Sequence, residues 1–462
     1  WYGQSGYPTL CPGERSTATV AYYNAGSLGW VAGRMGEVAY LGTWGPEPGQ
    51  DRASPLGGDG TNGSPPTGWP RYNRIAGQPS EYVGPGQVAW FQFTIQAPTT
   101  PGIYMLGLRP LVEGAQWMED FGVFWLVTVL NPDGSRPSLV CEDCWPLYGT
   151  KVAGGPVGRR GLNVKIDNSP SARPHYGISE ADMVFETLVE GYITRLHALL
   201  HSQNPGTLGS IRSARFSDRY ITPMIRGGLS YSGATDEETF LIRQDHGAGR
   251  FIDLNANYLP GLPYYYRTTT RASPFNMFTS SDAMRQALND AGGGAPVAIP
   301  RWEFVNNSNL PATLSGMNGS GFATTITIPY RSRATVRYQY DAATRGYARW
   351  QDNGAGAMVR EVDAANGVAI AAKNVVIIHT EVWETEVIQD IFGSRGLDMR
   401  LRGSGVATVF RDGRRQDGTW HRETDFDAFA FRTQWGEPIL LSPGQTWVHV
   451  VFPQGQFAIP SQ

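Results

Sequence analysis

Short runs in which apolar and polar residues alternate recur along the chain and predict strands. Residues 88–98 (VAWFQFTIQAP) alternate with a period of two, which is the pattern of a strand that buries one face. Residues 374–380 (NVVIIHT) form a short, largely apolar run of strand type. Residues 280–292 (SSDAMRQALNDAG) instead predict an amphipathic helix, with Ser281 as its cap and Gly292 as its stop. The patterns predict a multidomain, β-rich fold.

These patterns divide the chain into four segments. Residues 1–131 are strands punctuated by glycine and proline, which predicts an N-terminal β-sandwich. Residues 132–149 have the composition of a linker. Residues 150–298 alternate strands with helices, as in an α/β domain, whereas residues 299–462 are short strands with polar turns and predict a mostly-β C-terminal domain. Because no long linker separates the last two segments, we expect them to pack as one body.

Composition narrows the classes of protein that fit these patterns. A chain of 462 residues is too long for one ordinary core. Its 57 glycines and 32 prolines agree with strands, turns and long loops. The net charge of only -3 gives no general reason to expect nucleic acid or an anionic membrane as a partner. No apolar run is long enough to span a bilayer, and we expect any leader or anchor to lie outside this chain.

The three cysteines are Cys11, Cys141 and Cys144. The spacing of the last two is a CxxC, which is typical of redox or zinc sites. Zinc would need a second pair of ligands, and none is placed nearby. Redox chemistry remains an alternative, but no thioredoxin-like βαβ pattern surrounds the motif. We expect a structural disulfide, either within the CxxC or to Cys11, with one thiol left over.

The densest set of ionisable residues begins in the segment 165–195 and continues downstream. It comprises Asp167, Glu186, Glu190, Arg195, Arg212 and Arg215. These residues alternate with apolar ones, so their side chains can project from one face of a sheet. Buried together, they would have separated pKa values that suit acid–base chemistry or the binding of a charged polymer. The alternative, which we favour, is that Glu186 pairs with Arg195 or Arg212 across adjacent strands and fixes their register.

The histidines add few chemical candidates. His197 and His201 are four residues apart, which suits a metal site on a helix, but no third ligand is placed and we expect a surface pair. His246 lies in a sequence that predicts a flexible turn and is the best single candidate for a general base. His379 and His449 fall in apolar strands and are interpreted as core residues.

Residues that serve packing and tight turns recur across segment 1–131. They are Asn24, Gly26, Trp30, Pro85, Gly86, Pro98, Pro101, Gly102, Tyr104, Trp117, Gly122 and Trp125. At these positions the segment resembles the Ig-like four-tryptophan domain of bacterial surface proteins. The resemblance implies an Ig-like β-sandwich that acts as a spacer or adhesive module.

Two groups of motifs lie between about residues 150 and 455. The first comprises Ile166-Asp167-Asn168, Ala172-Arg173-Pro174, Gly177, Ala181-Asp182, Glu186, Glu190-Gly191, Thr194-Arg195 and the run from Gly209 to Arg215. The second comprises Tyr338-x-Tyr340-Asp341, Tyr347-x-Arg349, Asn374-Val375-Val376, Gly403-x-Gly405, Asp412-Gly413, Gly418-Thr419-Trp420, Gly436 and Pro443-Gly444-x-Thr446-Trp447. In both groups the chain resembles the YerB-like lipoprotein family of the bacterial envelope, whose two halves carry no established activity.

The chain departs from the pattern of that family at two positions. Where the family commonly carries a histidine before a glycine-rich turn, this chain has Ser232. Where the family commonly shows Pro-His-Asn, this chain has Phe275 between Pro274 and Asn276. If the family used these imidazoles as an acid, a base or a metal ligand, this chain has lost that chemistry.

We therefore predict an architectural cleft that has no catalytic residue, metal or cofactor. Its candidate residues are Asp167, Asn168, Arg173, Asp182, Glu186, Glu190, Thr194, Arg195, Arg212, Ser213, Arg215, His246 and Asn276. The resemblance implies a non-catalytic, extracellular or cell-surface protein of the bacterial envelope. Such a protein would be a structural or binding module for a cell-wall polymer, an envelope protein or copies of itself, as in a filament. The alternative is an envelope hydrolase or lyase that uses an acidic, arginine-rich cleft in residues 150–298.

Overall fold

The computed structural model describes residues 1–44, 51–57, 66–259, 264–306, 321–331, 334–454 and 460. The chain divides into two compact units, residues 1–139 and residues 140–462. The described part is β-rich and contains several sheets, which confirms the predicted multidomain, β-rich class. None of its helices is long and apolar enough to cross a membrane.

The first unit consists of strands. They are β1 (Gly3–Gln4), β2 (Thr9–Leu10), β3 (Arg15–Tyr23), β4 (Trp30–Val31), β5 (Ala39–Trp44), β6 (Arg74–Gly77), β7 (Tyr82–Val83), β8 (Val88–Gln96), β9 (Gly102–Val112), β10 (Gln116–Trp117) and β11 (Phe124–Val129). One sheet has the order β1-β3-β8, and a second has the order β2-β11-β9-β5-β6, with β10 beside β9. Strands β4 and β7 form a further pair.

A single apolar core is shared by these two sheets. Val20 and Phe91 come from the first sheet, and Leu106 and Trp125 come from the second. Buried and exposed residues alternate along β8, as its sequence predicts, because successive side chains of a strand point to opposite faces. Two sheets around one core form a sandwich. Its Ig-like identity remains a prediction.

The second unit mixes strands with short helices. Before residue 298 its elements are β12 (Leu162–Asp167), β13 (Met183–Leu188), β14 (Thr194–Leu200), β15 (Leu208–Gly209), α1 (Asp218–Ile221), β16 (Gly228–Tyr231), α2 (Asp236–Gly247), β17 (Ile252–Asn255), β18 (Tyr266–Arg267), β19 (Met277–Thr279) and α3 (Ser281–Leu288). Single 3-10 turns cover Pro170–Ala172, Ile178–Glu180, Glu190–Tyr192 and Thr222–Ile225, and a π turn covers Asn289–Gly293.

The remaining strands come from the C-terminal half. They are β20 (Gly321–Phe322), β21 (Thr325–Ile328), β22 (Val336–Asp341), β23 (Gly346–Asp352), β24 (Met358–Arg360), β25 (Ala371–Ala372), β26 (Asn374–His379), β27 (Val382–Ile388), β28 (Arg395–Met399), β29 (Gly403–Arg411), β30 (Arg414–Arg422), β31 (Ala430–Arg432) and β32 (Thr446–Val451).

One large sheet runs through both halves of the second unit. Its order is β17-β16-β12-β14-β13-β32-β26-β29-β30-β20, with β31 beside β30. Strand β32 is fully buried and lies parallel to β13 on one side and to β26 on the other. Because β13 belongs to the N-terminal half and β26 to the C-terminal half, β32 joins the two. The boundary drawn at residues 298 and 299 therefore falls inside one compact unit.

The two faces of this central sheet support separate apolar cores. The front face carries Val184 and Trp447, and it packs against the small sheet β21-β22-β23-β24, to which β25 is added. The back face carries Phe185 and Val448, and it packs against Trp302. Adjacent residues of one strand thus enter different cores, as the period of two requires.

Helix α3 agrees with its sequence pattern but is shorter than the predicted span. Its N-cap is Ser280, whose side chain accepts a hydrogen bond of 3.1 Å from the amide of Ala283, and not Ser281, as predicted. The helix ends at Leu288 and continues as the π turn. Gly292 has a φ of 82°, so the predicted stop lies in the left-handed conformation that glycine adopts readily.

Cys141 and Cys144 form a disulfide, and Cys11 is an exposed free thiol. The amide of Cys141 donates a hydrogen bond of 2.9 Å to the carbonyl of Phe304. Residues 140–149, which the sequence assigned to a linker, thus belong to the second unit.

Candidate functional site

The predicted cluster of acids and arginines is divided between the two faces of the central sheet. On β13, Glu186 points to the front face with Val184. Strand β13 then ends at Leu188, and the 3-10 turn Glu190–Tyr192 contains Gly191 in a left-handed conformation. The turn breaks the alternation of side chains. Glu190 therefore contacts arginines on the back side and lies apart from Glu186.

The front cluster is centred on Glu186, which is fully buried. Its Oε2 accepts a hydrogen bond of 3.0 Å from Nη2 of Arg349, its partner on β23. Its Oε1 accepts from Thr194 Oγ1 at 2.8 Å and from Asn168 Nδ2 at 3.1 Å. The expected pairing with Arg195 or Arg212 is therefore wrong, because the small sheet that packs on the front face brings a C-terminal arginine on β23 to this carboxylate.

Arg349 connects the front cluster to its surroundings. Its Nε donates to Glu361 Oε2 at 2.6 Å, and its Nη1 donates to the Tyr338 hydroxyl at 3.0 Å. Its guanidinium lies 4.2 Å from the ring centre of Trp447, which is a cation–π distance. Arg349 thus binds an acid from each half of the unit and stacks on the strand that joins them.

Burial dominates the electrostatics of the front cluster. It raises the pKa of Glu186, and Arg349 and the Thr194 hydroxyl oppose that rise. Burial also acts against ionisation of Glu361, but nearby positive charge, chiefly that of Arg349, outweighs it and leaves the pKa of Glu361 below its usual value. His449 has a pKa well below that of a free histidine, because burial and Arg349 disfavour its charge. It is therefore a neutral core histidine, as its sequence context indicates.

On the back side, Glu190 binds two arginines. Arg215 donates to it through Nε at 2.7 Å and Nη2 at 2.6 Å, and Arg195 donates through Nη2 at 2.8 Å. Burial by itself would raise the pKa of Glu190, but the two guanidinium groups lower it to about 2. Asp167 forms a separate ion pair with Arg212 at 2.9 Å. Each of these acids thus has arginine partners of its own.

A second back-side cluster was not predicted from the sequence. The ammonium of Lys165 lies 3.0 Å from Asp218 Oδ2 and 2.9 Å from His197 Nε2. His197 Nδ1 lies 3.1 Å from Asp218 Oδ1, and the Ser217 hydroxyl lies 3.2 Å from His197 Nε2. All four side chains are almost completely buried. The available signal was a lysine within an apolar strand, which must find a partner when it is buried.

In a hydrolytic triad a serine contacts a histidine, which in turn contacts an aspartate. The same contacts are made here by Ser217, His197 and Asp218, but these residues cannot act as a triad in this arrangement. In such a triad the histidine accepts the serine proton on a free lone pair. Here the Lys165 ammonium donates to that nitrogen. Burial, followed by the charge of Lys165, lowers the pKa of His197 to about 4, so the ring is neutral. Asp218 Oδ1 also makes no well-aligned hydrogen bond to the described residues. The cluster is a buried ion pair with polar neighbours.

His197 and His201 were expected to form a surface pair, and that expectation is wrong. Both are buried. His197 lies on β14, whose residues are all covered inside the central sheet, and His201 directly follows that strand. His201 Nε2 lies 2.9 Å from the carbonyl oxygen of Arg159, and its ring packs edge-on against Trp145. Neither histidine belongs to a metal-binding group within the described residues.

Several predicted residues lie outside these clusters. Asp182 accepts hydrogen bonds from the amides of His201 and Ser202, and burial raises its pKa. Asn276 accepts a hydrogen bond of 2.7 Å from Arg267 on the small sheet of β15, β18 and β19. Both residues therefore stabilise local structure.

Three further predicted residues are His246, Ser213 and Arg173. His246 ends helix α2 and does not lie in a flexible turn, and its Nδ1 lies 3.3 Å from the carbonyl of Phe251. The carbonyl of Ser213 accepts a hydrogen bond of 3.1 Å from Arg195. Arg173 donates to the carbonyl of Asp352 at 2.7 Å, beside the front cluster.

Comparison with known proteins gives the second unit a family. A family model described as "Protein of unknown function (DUF3048) N-terminal domain" matches residues 148–294, and the model of the corresponding C-terminal domain matches residues 326–448. The chain belongs to the YerB-like family. Members of this family to which it is similar include "Putative lipoprotein YerB" of Bacillus subtilis (strain 168), with 26% identity over 341 residues, 71% of this chain and 92% of the relative.

A solved structure agrees with the YerB-like fold. The crystal structure of YerB protein from Bacillus subtilis matches with a TM-score of 0.57 and 24% identity, covering 69% of this chain and 99% of that one. At this identity the likeness concerns the fold alone. The resemblance predicted from the two groups of motifs is confirmed, and those motifs include Tyr338 and Arg349 of the front cluster.

Proposed function

We propose that this YerB-like chain is a non-catalytic cell-envelope protein that serves as a structural or binding module. One observation carries the proposal: the side chains that could act as acids or bases are already bound to charged side chains inside the protein. Glu186 is held by Arg349, Glu190 by two arginines, and His197 by the ammonium of Lys165. Buried, paired charges of this kind more often specify structure than perform turnover.

Two observations support a place in the cell envelope. The Bacillus relative is named as a lipoprotein, and lipoproteins are held at a membrane by their lipid. The disulfide between Cys141 and Cys144 suits an oxidising compartment outside the cytoplasm. We extend the proposal to an extracellular or cell-surface site of action, with a cell-wall polymer, an envelope protein or a further copy of this chain as the partner.

The enzymatic alternative is an acidic, arginine-rich cleft that acts as a hydrolase or lyase. A general acid or base works best when its pKa is close to the working pH. The pKa of Glu190, at about 2, is far from that range, and both of its oxygens already bind Arg215. This arrangement favours the binding module.

The test is to incubate the purified full chain with purified cell-wall sacculi and to measure two quantities in one experiment. These are the fraction of protein that sediments with the sacculi and the soluble wall fragments that are released. We expect sedimentation without release. Light scattering of the protein alone would detect assembly with copies of itself. Release of fragments that Glu190→Gln abolishes would establish the enzyme instead, and the absence of both wall binding and assembly would contradict the module.

A further inference from the structure

Several buried polar atoms beside the front cluster have no hydrogen-bond partner in the part of the chain that the structure describes. They are Asn168 Oδ1, Arg173 Nε, Gln351 Nε2 and Glu361 Oε1. Asn168, Gln351 and Glu361 are each at least nine-tenths buried. A buried polar group without a partner costs free energy. The cause of several such atoms at one place must therefore be sought in what their side chains bind.

These atoms belong to one place in the fold. Arg349 donates through Nη2 to Gln351 Oε1 at 2.8 Å and through Nε to Glu361 Oε2 at 2.6 Å. The same Nη2 binds Glu186, to which Asn168 donates through Nδ2. The unused atoms of Asn168, Gln351 and Glu361 are therefore the second polar atoms of side chains whose first polar atoms are fixed on Arg349 or on its partner Glu186.

His175 adds a further acceptor at this place. Its Nε2 lies 3.1 Å from the carbonyl oxygen of Asp167, and a carbonyl only accepts, so Nε2 carries the proton. Nδ1 of the neutral ring is then an acceptor, and it lies 3.8 Å from Glu361 Oε1. That distance is too long for a hydrogen bond, and two facing acceptors require a donor from elsewhere.

The charges at this place indicate what kind of ligand supplies that donor. Two acids, Glu186 and Glu361, are matched by two cations, Arg349 and Arg173, so the surroundings are close to neutral. A metal ion does not fit, because its positive charges would be uncompensated in this balanced set, whereas a ligand without net charge leaves the balance unchanged. Among the described residues, the one group of three metal-ligand side chains is Cys141, Asp143 and Cys144, which is part of the disulfide segment.

We propose that Asn168, His175, Gln351 and Glu361 form a binding site for an α-amino acid, either free or as the carboxyl end of a short peptide. The N–H group of the ligand donates to His175 Nδ1, Glu361 Oε1 and Asn168 Oδ1. Its carboxylate accepts from Gln351 Nε2 and from Arg173, which is the partly exposed member and marks the side open to solvent. The site deepens the proposed binding role and rests on it.

The test is a titration of the full chain with L-alanine, D-alanine and the dipeptide alanyl-alanine as separate probes. Binding is followed by the rise in melting temperature and by the ring-nitrogen signals of ¹⁵N-labelled histidines, with His175→Gln used to assign the signal. We expect a saturable rise for at least one probe and a shift of the His175 signal. Comparison of the amino acids with the dipeptide separates a free ligand from a peptide end.

Glu361→Gln keeps the shape of the side chain and removes the charge, so the affinity should fall at least about tenfold. Glu386→Gln, on an exposed strand, is the matched control and should bind as the wild type does. If Glu361→Gln fails to fold, the His175 signal of the wild type decides. If neither the melting temperature nor the His175 signal responds to millimolar probe, the unpartnered atoms bind internal water only, and the proposed site is overturned. Unchanged binding by a folded Glu361→Gln variant would also overturn it. Wall binding without probe binding would overturn the site and leave the proposed function intact.

Discussion

The front cluster, centred on Glu186, and the back cluster, formed by Glu190, Arg195 and Arg215, use the same residue types. They connect different parts of the chain. In the front cluster, Glu186 binds Arg349, which is 163 residues away in the C-terminal half. In the back cluster, Glu190 binds Arg195 and Arg215, which are 5 and 25 residues away. The front cluster thus holds the two halves together, and the back cluster fixes the N-terminal half on itself.

The two clusters also differ in their access to water. Glu186 and Arg349 are fully buried, so neither charge can be solvated if the other is lost. Glu190, Arg195 and Arg215 keep 8%, 5% and 6% of their side chains exposed. Arg212, which pairs with Asp167 beside them, keeps 28%, and water can compensate its charge in part. Because an unpaired charge is most costly where water cannot reach it, the front pair should be the more sensitive to mutation.

The largest expected effect is that of Glu186→Ala. The substitution leaves the Arg349 guanidinium buried without one of its carboxylates and should lower the free energy of unfolding by roughly 3–5 kcal/mol. Chemical denaturation measures it directly. A double variant, Glu186→Leu with Arg349→Met, removes both charges of the pair but leaves Glu361 without its arginine. It should therefore be destabilised, but by less than the sum of the two single changes, because Glu186 and Arg349 are in direct contact.

The matched control for this prediction is Glu386→Ala. Glu386 pairs with Arg395 at 2.7 Å, but 87% of its side chain is exposed. An exposed pair of this kind contributes little, so its melting temperature should stay close to that of the wild type. If Glu186→Ala folds with unchanged stability but no longer binds a cell-wall fragment, Glu186 is a functional residue and not an architectural one.

The second prediction concerns pH and the back cluster. The pKa of Glu190 is lowered in the folded protein to about 2, from 4.5. A lowered carboxyl pKa stabilises the fold above pH 4.5, and that stabilisation is lost as the pH falls from 4.5 towards 2. Glu190→Gln should therefore be less stable than the wild type by about 3 kcal/mol at neutral pH. The difference should shrink across this acid range, and denaturation curves taken at several pH values would reveal a constant difference if the pairing did not matter.

The smallest expected effect is that of removing the disulfide. Cys141 and Cys144 close a loop with a sequence separation of only 3, so the bond restricts the unfolded chain weakly. We expect the Cys141→Ser, Cys144→Ser variant to lose about 2 kcal/mol or less. Mass spectrometry of native protein without reductant should find one free thiol, at Cys11. Three free thiols would contradict both the disulfide and the proposed compartment.

Much of the candidate site could be named from the sequence, but its arrangement could not. Motifs and alternation identified Asp167, Glu186, Glu190 and the three arginines, and all of them are paired in the structure. The prediction that they share one face failed at Glu186, which points to the front face, whereas the 3-10 turn after β13 places Glu190 with Arg195 and Arg215 on the back side. The Lys165 cluster was missed because its members come from different elements, far apart in the sequence.

The sequence by itself determined the strands, the amphipathic helix, the β-rich class and the family, since these depend on local periodicity and on short motifs. Only the tertiary structure decided that β32 lies between β13 and β26, and that the small sheet packs on the front face, where Arg349 on β23 becomes the partner of Glu186. The physical reason is that a strand pattern states which side chains will be buried, but it does not state which strand will lie beside it. That choice depends on packing and charge pairing across the whole unit, where contacts more than a hundred residues apart set the energy.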